Sequence, residues 1–498
     1  MKKKPNILMI LADQMAVDVL PLYSPRGPAK VPQLSNLAED GVLFANPYCN
    51  SPLCAPARAC LSTGLRSSRN GVYDNGAELS STVPTFMHLL KLAGYRTTLS
   101  GKAHFIGPDQ LHGFERRLTT DIYPADFRWM GDWDNEVQHG VGTSVEKLKI
   151  SGVCRTSNQL LYDEEAQFRA LEYLRYHVME GAEDPFFLCV SYTHPHESFQ
   201  ITRKYWDLYS DEEAGMPEIP DPGMEGHHPY NRWLQVHHGV TRYTPTEEVV
   251  RASRRAYLGM ISYVDSLVGQ LIAELKHLGL YEDTVVVFSS DHGEMLGEHG
   301  MWYKRTFYEE SLRVPLIVSW PKTLKPAVRE EVVSLVDLFP TMLDFAGSTE
   351  IEGLAVNLDG DSLLPLLQGD GKGWKNQALF EYLGGGVRTP MLGVRKDNWK
   401  YVYIHDLPPL LFDLEKDPHE LDNLAEIQEF ATKTEELRAL AVGETDVSAM
   451  RQRIVQSQKQ RQLVHRAMHA GRYFPWDYQP EFDASRQYVR EKNLPVYC

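Results

Sequence analysis

The chain has 498 residues, a formal net charge of −16 and a composition ordinary for a globular protein, with 43% hydrophobic and 24% charged residues. This excludes a disordered or fibrous protein, and it argues against nucleic acid as a partner, because a phosphate footprint is usually basic. Six cysteines (Cys49, Cys54, Cys60, Cys154, Cys189 and Cys498) show no paired spacing, so they do not form a disulfide scaffold.

The first apolar run, NILMILA at 6–12, ends in Asp13 with no small-residue cleavage site behind it. It reads as a buried strand and not a signal peptide. YRTTLS at 95–100, FFLCVSY at 186–192, TVVVFSS at 284–290 and VPLIVSW at 314–320 read the same way. They lack polar alternation, as parallel strands covered on both faces do. Amphipathic stretches lie between them, among them 83–94 and 257–279. The alternation predicts an α/β fold with a doubly wound, mostly parallel sheet. No apolar run is long enough to span a bilayer. The expected setting is the cytoplasm, with no membrane partner.

The texture changes near residue 370, where LLQGDGKGW (366–374) reads as a Gly-rich linker. The expected division is a catalytic domain at 1–370 and a C-terminal subdomain at 371–498. Within the latter, 389–404 resembles a hairpin turning at 396–398, 411–426 reads as strand, turn and helix start, and 446–470 as a long polar helix. An aromatic tail, 473–498, ends the sequence.

The residues behind the predicted strands are polar: Asp13 and Gln14, Lys102 and His104, His194 and His196, Asp291 and His292. A solvated loop side chain would account for any one of them. Four strands delivering carboxylates, imidazoles and an amine to one sheet edge make a site, because ligands bind beyond the carboxyl ends of parallel strands. An oxygen-rich set with one imidazole favours a hard divalent ion, Ca²⁺ first with Mn²⁺ or Mg²⁺ as alternatives, over Zn²⁺. In SPLCAPARACLSTG (51–64), Pro56 belongs in a first helical turn, so Cys54 sits at a helix N-terminus with Arg58 one turn in. Those surroundings favour a reactive thiolate, whereas Cys60 suits an inert place in the core.

Cys54-Ala55-Pro56-Ala57-Arg58, continued by ACLSTG, resembles the C-x-P-x-R signature of the type I sulfatases of the alkaline phosphatase superfamily. PNILMILADQ, GYRTTLSGKAH, SYTHPHESF, VVVFSSDHGEMLGEHG, YKRTFYEESLRVPLIV and LFDLEKDPHELDNLA agree with it. Within that family, DIYPADFRWMGDWD and FPWDYQPEFDASRQYVR resemble the choline-sulfatases. The resemblance implies a large mostly parallel sheet sandwiched by helices, with a smaller C-terminal subdomain carrying a short antiparallel sheet and a tail. It implies that a maturation enzyme oxidises Cys54 to Cα-formylglycine. The hydrated aldehyde would be the nucleophile, passing through a covalent sulfo-enzyme. By the same resemblance, Asp13, Gln14, Asp291 and His292, with residue 54, match metal ligands. Arg58 orients the nucleophile, Lys102 and His104 stand beside it, and His196 and Lys304 hold sulfate and assist the leaving oxygen. Asn75 in VYDNG matches a sulfate contact. Many members have two adjacent aspartates where this chain has Asp13-Gln14, which lowers the ligand charge.

For substrate, the resemblance implies choline sulfate, hydrolysed to choline and inorganic sulfate. A quaternary ammonium has no N–H, so aromatic faces and carboxylates must hold it. Trp129, Trp133 and His139 match that region, with Glu381 in LFEYLGGG and Asp483 in the tail as candidate counter-charges. Ordinary packing is the competing account of the tryptophans. The alternative functions are an aryl sulfatase or a phosphonate monoester hydrolase of the same superfamily, and a catalytically dead binding protein is the third. The tail's aromatic residues predict a homo-oligomer, dimer or tetramer, in which the tail docks on a neighbouring subunit.

Overall fold

A computed structural model describes residues 4–135, 143–348 and 353–481. Strand Asn6–Ala12 runs through the middle of an eight-stranded sheet, parallel to Thr284–Ser290 on one side and Phe186–Ser191 on the other. Its residues are all buried, Ile7, Met9 and Leu11 in one apolar cluster and Leu8, Ile10 and Ala12 in another. Side chains alternate across a strand, so a strand with apolar residues at both sets of positions must be covered on both faces. Helices Pro32–Glu39, Asn158–Met179 and Glu247–His277 cover one face, and Cys54–Thr63, Phe86–Leu92 and Leu338–Phe345 the other.

Beyond Phe186–Ser191 the sheet continues with Arg96–Gly101 and the short Arg116–Arg117. Beyond Thr284–Ser290 come Leu316–Ser319, Val42–Tyr48 and Ala327–Ser334. All five strands expected from apolar runs are present. Leu316–Ser319 departs from the parallel expectation, pairing antiparallel with both neighbours. Val42–Tyr48, Arg116–Arg117 and Ala327–Ser334 have no continuous apolar run, for local reasons. The first carries Asn46 and Pro47, the second has two residues, and the third is interrupted by Arg329, Glu330 and Glu331 at the sheet edge.

Strands Gln377–Tyr382, Met391–Lys396, Trp399–Ile404 and Leu410–Asp413 form a separate antiparallel meander. The hairpin turns where expected, with Lys396 opposite Trp399 and Asp397 at φ 51°. One apolar cluster runs from the main sheet into this meander and on to Met450 and Ile454 of helix Val447–His469. Among the described residues, helix Glu247–His277 is long and apolar enough by average composition to cross a membrane, although charged residues interrupt it. It is a core helix, with 72% of its apolar window buried.

The first part of the tail, expected at a subunit interface, makes contacts within its own chain. Tyr473 Oη donates to Asp126 Oδ2 at 3.1 Å, Ala125 N donates to Asp477 Oδ1 at 3.2 Å, and Trp476 meets Phe127 edge-on at 5.3 Å. Tyr473, Trp476, Asp477 and Tyr478 thus find partners on the 117–127 segment, whereas Phe474 stays exposed beside Arg472; 482–498 lie outside the described residues. All five described cysteines are free.

Gly101 ends its strand at φ 107°, and a Cβ there would lie 2.0 Å from the Ser191 carbonyl oxygen that accepts from Lys102 N. Gly101→Ala is expected to cost roughly 3 kcal/mol, from positive φ and overpacking together. Chemical denaturation would measure this; a midpoint equal to wild type would contradict the close approach.

Candidate active site

Strands Thr284–Ser290, Asn6–Ala12, Phe186–Ser191 and Arg96–Gly101 are successive neighbours, mutually parallel, so their carboxyl ends share one edge. Asp291 and His292, Asp13 and Gln14, His194 and His196, and Lys102 and His104 emerge there, all buried. Helix Cys54–Thr63 points its N-terminus at the same place. Its N-cap is Leu53, whose side chain cannot cap, and Cys54 is its first residue. Ala55 N donates instead to Asn75 Oδ1 at 3.0 Å.

Oxygens of Asp13 and Asp291, Nε2 of His292 and Sγ of Cys54 all lie within 4.8 Å of one another. Cys54 Sγ is 3.1 Å from His292 Nε2 and 3.7 Å from Asp13 Oδ1. His292 Nδ1 lies 2.9 Å from the Gly293 carbonyl, which assigns the proton to that nitrogen and turns the Nε2 lone pair toward the carboxylates. Burial, followed by the field of Lys304, opposes protonation of His292, keeping the imidazole in the form a metal needs. Two carboxylates, a neutral imidazole and residue 54 are a donor set that fits a divalent cation. Gln14 also faces this space. Its Oε1 accepts from Lys304 Nζ and its Nε2 donates to Glu294 Oε2. Gln14 holds this position at φ 69°, a left-handed conformation typical of constrained sites.

The site's cations offset its carboxylates. Arg58 Nε donates to Asp291 Oδ2 at 2.8 Å, while Nη1 donates to Lys102 O and to Ser191 Oγ, each at 2.8 Å. Lys102 Nζ binds Asp13 Oδ2. Burial alone would raise the pKa of Asp13; Lys102, with His196, Arg58 and His292, outweighs it and holds this carboxyl well below the usual range. Glu294 has no such cluster of cations, and burial pushes it up to about 7.

Lys304 Nζ is 2.9 Å from His196 Nε2 and 3.3 Å from Glu197 Oε2. Glu197 is therefore a buried partner of the Lys304–His196 pair, not recognised from sequence although it follows His196 directly. His194 turns away, its Nδ1 2.6 Å from Asp163 Oδ2. His104, at φ 59°, has two buried ring nitrogens without a hydrogen-bond partner. Burial, then Lys102, holds it well below the usual imidazole range, so the ring is neutral.

The site opens into a cavity of about 530 Å³ lined by Asn75, His104, Tyr123, Trp129, Asp132, His196 and Lys304, among others. Tyr123 is central and was not singled out from sequence. Its ring is 4.3 Å from Lys102 Nζ, 4.9 Å from the His104 ring and 4.7 Å from the Trp129 ring. Trp133 points elsewhere, buried, with Nε1 donating to Gly384 O at 2.9 Å. Glu381 does not line the cavity. Its carboxylate accepts from Arg66 Nη1 at 3.0 Å and from Ser68 N and Oγ at 2.8 Å each, so its charge already has partners. His139 and Asp483 lie outside the described residues.

Comparison with known proteins decides the family. The family described as Sulfatase matches residues 5–348. The chain belongs to the sulfatase family. Residues 297–443 match the N-sulphoglucosamine sulphohydrolase C-terminal family, and 452–493 the family described as choline sulfatase enzyme C terminal. The chain is 41% identical to a choline-sulfatase of Rhizobium meliloti, over 98% of this chain and 96% of that one. It is 28% identical to arylsulfatase K of Bos taurus, over 84% and 78% of the two chains. Among solved structures it resembles the phosphonate monoester hydrolase of Agrobacterium radiobacter, with TM-score 0.69 and 26% identity, covering 94% of this chain and 96% of that one. It is a sulfuric ester hydrolase with the α/β sulfatase fold.

Asp291 serves two roles here, as a donor to the candidate metal site and as the partner of Arg58 Nε. Asp291→Asn should lower the divalent-ion content of the purified enzyme and its sulfatase rate together. Elemental analysis beside a rate assay checks this; unchanged metal content would remove Asp291 from the ligand set.

Proposed function

We propose that this sulfatase hydrolyses choline sulfate to choline and inorganic sulfate. The match of 452–493 to the choline sulfatase C-terminal family carries this reading, because a catalytic signature alone serves many sulfate esters. The 41% identity with a choline-sulfatase along nearly the whole chain supports it. The cavity lining supports it too, since the rings of Tyr123 and Trp129 and the half-buried carboxylate of Asp132 all line it, residue types suited to a quaternary ammonium.

Residue 54, converted to Cα-formylglycine by a maturation enzyme, would present a hydrated aldehyde as nucleophile. A divalent cation, Ca²⁺ by the hardness of the donors, would be held by Asp13, Gln14, Asp291 and His292, and would offset sulfate charge. The other residues have roles that follow from their contacts. Arg58, tied to Asp291 and Ser191, holds the helix N-terminus against the carboxylates. His196 and Lys304, 2.9 Å apart, can protonate the leaving choline oxygen, with Glu197 sustaining the charge on Lys304. His104, neutral and without a hydrogen-bond partner, can take a proton from the nucleophilic group when sulfate is released. An aryl sulfate or phosphonate monoester is the alternative substrate, favoured by the likeness to the phosphonate monoester hydrolase.

Two outcomes test the reading. Cys54→Ala should keep the wild-type melting temperature and lose turnover, and mass spectrometry of the wild-type peptide should show formylglycine at position 54. Retention of more than a trace of activity would discard this nucleophile. Trp129→Ala should raise KM for choline sulfate by roughly tenfold, the scale of a desolvated cation–π contact, while leaving an aryl sulfate nearly unaffected. Equal losses on both substrates would favour the alternative.

A further inference from the structure

Helix Val447–His469 ends with two histidines one turn apart, His465 and His469. Residues at i and i+4 share a helix face, so both imidazoles look the same way. They face Asp126, a buried carboxylate on the segment that also carries Tyr123 and Trp129. One ligand atom from each of Asp126, His465 and His469 lies within 4.8 Å of the others. The two imidazole rings meet at 4.6 Å, and His469 stacks on Tyr473 at 4.8 Å, whose hydroxyl reaches Asp126. His465 Nε2 is buried and has no hydrogen-bond partner.

We infer that Asp126, His465 and His469 form a second metal site, distinct from the candidate catalytic one, for a borderline transition-metal ion such as Zn²⁺. Two imidazoles and a carboxylate suit that class, whereas the oxygen-rich catalytic set suits a hard ion. Three protein ligands leave one position of a tetrahedron to water. Occupancy would tie the end of the C-terminal helix to the segment lining the substrate cavity. Arg128 is the competing cation. Its Nε lies 2.9 and 3.2 Å from the two oxygens of Asp126, its Nη2 2.8 Å from Oδ2, and its backbone N 3.0 Å from Oδ1. Its side chain is 45% exposed, so solvent is open to it when a metal takes its place.

The test uses the holoenzyme in excess Ca²⁺, dialysed against micromolar Zn²⁺, with bound zinc measured by elemental analysis. Wild type should hold about one equivalent more than His469→Ala, and Co²⁺ in place of Zn²⁺ should give a visible absorption band that this variant lacks. His469 is exposed, so the variant's melting temperature without added zinc should match wild type. Arg128→Ala should tighten zinc binding several-fold by freeing the carboxylate. Equal zinc uptake by wild type and His469→Ala would overturn the site, and an Arg128→Ala variant with unchanged or weaker affinity would overturn the three-ligand assignment.

Discussion

Two buried carboxylates, Asp13 and Asp291, have oxygens within 4.8 Å of one another at the edge of the central sheet. At an effective dielectric of about 20, like charges at that separation repel by roughly 3–4 kcal/mol. The surroundings have to offset this repulsion, and much of the site's architecture does so. Arg58 reaches from a helix N-terminus, Lys102 from the neighbouring strand end, and both are buried. A chain of net charge −16 thus gathers the buried cations Arg58, Lys102 and Lys304 at this site, against the carboxylates of Asp13, Asp291 and Glu197. Those cations suit the anionic group of a sulfate ester, which the net charge of the chain does not indicate.

The same electrostatics divides the imidazoles into different roles. His292 is neutral by burial and turned by a backbone carbonyl, as a ligand must be. His104 is neutral by burial beside Lys102, as a base must be. His196 lies against Lys304, while His194, two residues away, is bound to Asp163 and directed away. Burial and the nearest charge support the different roles proposed for them.

The C-terminal region takes part in the site and is not an appendage. Arg461 of helix Val447–His469 forms two hydrogen bonds to Asp74, at 2.6 and 2.9 Å, beside Asn75. Gln458 accepts from Trp133 N at 3.0 Å, fixing the turn that follows Trp129. The helix that matches the choline sulfatase C-terminal family therefore supports the lining of the cavity into which the strand ends open.

Much of this was legible in the order of residues. Apolar runs without polar alternation specify strands covered on both faces, and polar residues directly behind them specify one loaded edge. Pro56 two places after Cys54 specifies a helix that starts at the cysteine. These signals are local, so they survive without coordinates. Partners distant in sequence were not legible. The charge of Glu381 is taken up by Arg66 and Ser68, the indole N–H of Trp133 by Gly384, and the first tail residues by the chain's own 117–127 segment. Composition marks such groups as able to bind something, but tertiary packing alone determines which partner lies within hydrogen-bond reach.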